Sequence, residues 1–221
     1  MSTVLLDTFT DTDPTLLTDH NADSGQPWAS ATSFGSGNGT ADEFVVRGNR
    51  LRRVNWDDGF GYNGGGEALA YPVGIAGMHT LPAFTVTFGL LFATGVTNST
   101  LYLYQEADGA PTNDDIMVRL TNGINTFDLG NNPSVAITFN TNQLYAIRLE
   151  VAGSTADLYV DEVLVGSYTG PWGVNAVPTG AFGLDLFDTG AESYLTVDTL
   201  LISAGATPDF WTNRVKTTEI V

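Results

Sequence analysis

The sequence predicts an all-β chain folded as one antiparallel β-sandwich, and three observations carry that reading. Apolar residues recur at every second position: Phe84, Val86, Phe88 and Leu90, then Tyr145, Ile147, Leu149 and Val151, then Leu195, Val197, Thr199 and Leu201. No window holds a helical apolar stripe longer than two turns. Charged residues make up only 15% of the 221 residues, and Gly, Thr and Asn take their place. Those three types belong to strands, turns and loops rather than helices.

The strands can be set out in order, each closed by Gly, Asn, Asp or Pro. Residues 4–9 open the chain, and 43–47 and 50–55 flank Gly48-Asn49. Residues 67–73 stop at Gly74, and 84–90 follow Pro82. In 101–106, Leu101 and Leu103 alternate with Tyr102, Tyr104 and Glu106. Residues 116–121 stop at Asn122-Gly123, and 135–139 lie between Pro133 and Asn140. Then come 145–151, 156–161, 163–168, 181–187 and 195–201. About a dozen short strands in one chain make a sandwich or barrel.

One hairpin is legible residue by residue. Gly153-Ser154 suits a two-residue II′ turn, with Gly at the position that needs positive φ. Leu149 then faces Leu158 and Ile147 faces Val160, as core pairs. Glu150 falls opposite Asp157, a like-charge pair that Arg148 offsets from between Asp157 and Asp161. The next connection, Asp161-Glu162, lacks Gly, so a bulged or wider turn is expected there.

Neither an internal repeat nor a linker divides the chain. The Gly-rich run 57–66 contains Phe60 and Tyr62 and reads as a packed loop. A single domain over 1–206 is expected, followed by an extended arm, 207–221, that carries Phe210 and Trp211. Pro208 stops strand continuation, and Arg214 and Lys216 make the arm basic, so it would dock on a neighbouring subunit or another protein, unless Phe210 and Trp211 fold back to plug the end of their own sandwich.

Twenty-five acids against eight Lys and Arg give a formal charge of −17 and a pI near 4.1. That field disfavours nucleic acid and anionic membranes as partners. No cysteine is present, which argues against a disulfide-built module. The first residues lack a basic n-region, and no stretch approaches a membrane span, so synthesis and assembly in a cytoplasm are expected.

Three segments resemble the concanavalin A-like, or laminin-G-like, jelly-roll superfamily. The first is Asp7-Thr-Phe9 with Asp13, Leu16, Leu17, His20, Asp23, Gly25 and Trp28. The second is the hairpin 145–165, where Glu162 replaces the Gly of the usual Val-Asp-Gly turn. The third is Tyr194-Leu-Thr-Val-Asp198 followed by Leu200-Leu-Ile202. The resemblance implies a jelly roll of the kind found in phage virions and carbohydrate-associated bacterial proteins. It implies a structural hydrogen bond for His20.

Glycanases on this fold carry a Glu-x-Asp-x-x-Glu strand, and the sequence has none. His20 and His79 stand apart, and neither a nucleophile set nor a zinc-ligand cluster is legible. The expectation is therefore a non-enzyme. No cofactor is expected, save calcium at loop acids: Asp57 and Asp58, or Asp108, Asn113, Asp114 and Asp115. Interface or ligand candidates are Tyr102, Tyr104 and Trp56, aromatics that would stack on sugars, fill a subunit interface or pack within the two-layer sandwich. Arg50, Arg52 and Arg53, beside Arg47, form a basic hairpin that would dock an acidic surface or serve as a solvated edge. Phe210 and Trp211 complete the set.

These readings lead to a structural virion component of a phage, a capsid decoration or fibre-type protein. It would be homo-oligomeric, would touch other virion proteins, and would be assembled in the host cytoplasm. The alternative is a lectin-like carbohydrate-binding module, on the same fold and on Tyr102, Tyr104 and Trp56.

Overall fold

The computed structural model describes residues 2–12, 14–31, 42–55, 66–72, 83–92, 100–106, 118–121, 124–127, 134–135, 137–153, 155–169, 181–188 and 195–205. Sixteen strands run through them: β1 Ser2–Asp7, β2 Thr15–Leu16, β3 Trp28–Ala31, β4 Asp42–Val46, β5 Leu51–Asn55, β6 Gly66–Pro72, β7 Ala83–Phe92, β8 Thr100–Glu106, β9 Val118–Thr121, β10 Ile124–Phe127, β11 Ser134–Val135, β12 Leu144–Ala152, β13 Thr155–Val160, β14 Val163–Thr169, β15 Ala181–Asp188 and β16 Leu195–Ala204. Among the described residues the one helical piece is a 3-10 turn, Leu17–Asp19. All pairings are antiparallel, in two sheets. One runs β14-β13-β12-β7-β16-β5-β4-β2, with β1 also on β16; the other runs β11-β10-β9-β8-β15-β6-β3. The chain is a jelly-roll β-sandwich: the alternation predicts the sandwich, and the family resemblance implies the jelly roll.

The core is built on β7, which lies between β12 and β16. Phe84, Val86, Phe88, Leu90 and Phe92 are buried, and so are Thr85 and Thr87 on the other face. The hairpin register is the expected one: Leu149 pairs with Leu158 and Ile147 with Val160, all four buried. Ala152 pairs with Thr155 across the two-residue turn, with Gly153 at φ 56°. Glu150 does face Asp157.

Four local expectations change. Asp161-Glu162 is a tight two-residue turn, not a wide one: Val160 pairs with Val163, and both turn residues have positive φ, 48° and 65°. That is the I′ pattern, whose twist suits a hairpin even without glycine. The bulge sits further along the same strand pair, between Leu158 and Tyr159. Arg148 leaves Asp157 and Asp161 alone, bonding instead to Glu150 and, at 2.7 Å, to Glu162, with its guanidinium 3.8 Å above the Tyr159 ring. Asp161 accepts from the Ala146 N–H at 2.8 Å.

The alternation of β16 breaks at Thr199. Asp198 pairs with Gly89 and Leu200 with Phe88, leaving Thr199 bulged at φ 39°. Leu200 and Ile202, rather than Thr199 and Leu201, therefore continue the core face. Gly89 makes room for this, since a Cβ there would lie 3.0 Å from the Asp198 Cβ. Residues 137–140 are irregular rather than strand, yet Phe139 is buried against Phe92 and Tyr145, 4.9 Å from each ring. Strands β2, β3 and β10 were not expected.

Candidate functional site

The seven-stranded sheet brings together residues that are far apart in the chain. Tyr102 pairs with Asp185 on one side and Arg119 on the other; Asp185 pairs with Leu69, and Arg119 with Thr126. These five positions form one row across β6, β15, β8, β9 and β10, and directly paired residues share a face. In the next row along, Tyr104 pairs with Gly183, and Tyr71 lies one step beyond the Leu184–Ala70 pair, in line with Gly183. Glu67 pairs with Phe187, two residues from Asp185 on the same face. The alternate positions Leu101, Leu103, Leu184, Leu186, Val118 and Leu120 fall on the opposite face of the sheet.

Of the candidate residues, the structure places Tyr102 and Tyr104 together on this face. Arg119, Asp185, Glu67, Tyr71 and Gly183 were missed, because pairing order across a sheet is not written in any one strand. Asn122-Gly123, a strong hairpin signal between residues 118–121 and 124–127, would have supplied β10 and the Arg119–Thr126 pair.

The basic hairpin closes through Gly48-Asn49, both at positive φ, with Arg47 N–H bonded to Arg50 O at 2.9 Å. Arg50 lies 3.5 Å from Asp198 on the adjoining strand, so part of this charge is met within the chain. Arg52 and Arg53 are on β5. Trp56, Asp57, Asp58, Asp108, Asn113, Asp114, Asp115, Phe210 and Trp211 lie outside the described residues, as does all of 207–221. Among the described residues no group of three potential ligands could hold a metal.

A second polar cluster lies at the end of β1. The buried Asp7 carboxylate accepts from Phe9 N–H (2.7 Å), Trp28 Nε1–H (2.6 Å) and His20 Nε2–H (2.9 and 3.1 Å). His20 Nδ1 lies 3.1 Å from Asp11. Burial pushes the Asp7 carboxyl above the usual carboxylate range, against its hydrogen bonds. Burial opposes the charge on His20, but the bonds to Asp7 and Asp11 outweigh it and raise the imidazole. Asp11 is lowered, chiefly by its bond to His20. Asp23 ties the same region down, accepting from Thr8 N–H and hydroxyl at 2.7 and 2.6 Å.

No protein-family model matches the chain, and neither does any curated protein sequence. Solved structures share the fold. A β-1,3-glucanase from Mycobacterium marinum aligns over 92% of this chain and 99% of its own, at 13% identity and TM-score 0.60. An endo-1,3-β-glucanase from Streptomyces sioyaensis aligns over 91% and 95%, at 15% identity and TM-score 0.59. The metal-free Emp46p carbohydrate recognition domain aligns over 81% and 89%, at 11% identity and TM-score 0.54; its potassium-bound form is also similar.

These likenesses are to concanavalin A-like lectin and glycosidase jelly rolls. They overturn the expectation that the chain is a non-enzyme, because hydrolases as well as lectins are built on this fold. Nothing in them points to a virion protein.

Proposed function

We propose that the chain is a carbohydrate-binding module whose ligand lies on the tyrosine-bearing face of the seven-stranded sheet. The observation that carries this is the row Tyr71–Gly183–Tyr104 beside Leu69–Asp185–Tyr102–Arg119. Strands lie about 4.8 Å apart, so tyrosines on either side of a glycine stand about 10 Å apart at their backbones. That spacing suits a flat pyranose over the glycine, between two tyrosine positions, with the Asp185 and Arg119 positions in the neighbouring row. The fold shared with carbohydrate-recognising proteins agrees with it.

A glycan array with the isolated chain tests the proposal, followed by titration of any hit against Tyr102→Ala and Tyr104→Ala. Each variant is expected to weaken binding at least tenfold with an unchanged melting temperature. Absence of any hit, or hits that both variants bind equally well, would refute it.

Hydrolysis on the same face is the second reading. Glu67 and Asp185 occupy diagonal positions on adjacent strands, about 7–8 Å apart at the backbone. Two carboxylates flanking a glycosidic bond are what acid–base cleavage requires. Release of reducing ends from a bound glycan, lost in Asp185→Asn with binding kept, would favour it over binding alone.

A further inference from the structure

We propose that His20 is a proton-operated latch on the loop after β1, and that losing its second ring proton frees Asp11. The latch is independent of the glycan reading. Both ring nitrogens face carboxylates: Nε2 faces Asp7 at 2.9 and 3.1 Å, and Nδ1 faces Asp11 at 3.1 Å. A carboxylate accepts hydrogen bonds and donates none, so this arrangement requires a proton on each nitrogen. The ring is buried, at 4% exposure, with the Phe9 ring 6.3 Å away.

The stretch of chain that builds the cluster carries no other basic side chain. The first 46 residues contain seven acids (Asp7, Asp11, Asp13, Asp19, Asp23, Asp42, Glu43) and no Lys or Arg. The 3-10 turn that precedes His20 packs against β3, which is uncharged, and β4, which carries Asp42 and Glu43. Asp19 on the turn is exposed, and Asp23 is taken up by Thr8. The imidazolium is therefore favoured despite its burial, as its raised titration reflects.

The two carboxylates are held unequally. Asp7 is anchored by Phe9 N–H and Trp28 Nε1–H, groups that do not titrate near neutrality. Asp11 is 30% exposed, and beyond His20 it is held by its neighbour Thr12. When the ring loses a proton, the remaining N–H stays with Asp7, which has no water to turn to. The Nδ1 lone pair then faces the Asp11 carboxylate, which repels it and turns to solvent. Because the folded-state titration is raised, the latch is fully closed below the ordinary imidazole value of about 6.5. It opens as pH rises through the higher folded-state value.

Nuclear magnetic resonance of the full chain tests this, following the His20 ring nitrogens from pH 5 to 10 and backbone order parameters at Thr10, Asp11 and Thr12. The expected result is one titration above the ordinary imidazole value. With it, order parameters at these residues fall from about 0.85 to below about 0.6, while the strands stay rigid. Asp11→Asn should abolish the loosening, since a carboxamide can offer its oxygen to a protonated ring or its NH2 to a neutral one. A ring that titrates below the ordinary value would overturn the proposal. So would a loop equally rigid on both sides of the titration, loosening of the whole chain, or an Asp11→Asn protein that loosens as the parent does.

Discussion

Replacing Asp7 by alanine removes one carboxylate and strands three buried donors: Phe9 N–H, Trp28 Nε1–H and His20 Nε2–H. Leaving a buried donor unsatisfied costs about 1–3 kcal/mol, so the three together set a ceiling near 9 kcal/mol. Two effects reduce this. The buried carboxylate carries its own desolvation cost, visible in its raised titration, which the variant no longer bears. His20 can also drop its proton once Asp7 is gone. Breaking a buried charged pair from one side costs about 3–5 kcal/mol, and we expect a value in that range. Against a total of about 5–15 kcal/mol this is a large fraction, and it should move a urea midpoint by about 1–2 M. Asp7→Asn keeps one acceptor oxygen and should lose about half as much. Urea unfolding at pH 7, followed by Trp fluorescence with circular dichroism as a second probe, measures both. A loss under about 1 kcal/mol for Asp7→Ala would mean that the cluster is not the anchor described here.

Leu149→Ala empties a fully packed site opposite Leu158 and should cost about 2–5 kcal/mol in the same assay; a neutral result would contradict the register of β12 and β13. Glu162→Gly relieves a non-glycine residue at φ 65° but gives up a half-exposed ion pair with Arg148, whereas Glu162→Gln gives up only the pair. The glycine variant should therefore be about 1 kcal/mol more stable than the glutamine variant, and equal melting of the two would show that the turn is unstrained.

Period-two alternation by itself determined the fold class, most of the strands and the hairpin register, because burying one face of a strand leaves its residues a single pairing choice. The same logic read Leu149, Leu158, Ile147 and Val160 as core from local sequence alone. It failed where the chain departs from strict alternation. The Thr199 bulge lies beside Gly89, over a hundred residues away, where a Cβ would crowd Asp198, and no window around Thr199 contains that fact. Asp161-Glu162 forms a tight turn without glycine because the strands on either side impose the twist. The partners of Arg148 followed from that turn, which brings Glu162 within 2.7 Å. The candidate site was legible only in part, as the alternating Tyr102 and Tyr104. Their neighbours Asp185, Arg119 and Gly183 come from strands up to about eighty residues away, and only the tertiary pairing of β6, β15, β8 and β9 sets them in shared rows. The His20 cluster divides the same way. Sequence showed a single cationic side chain among acids in the first 46 residues, and the fold decided which two carboxylates it would hold.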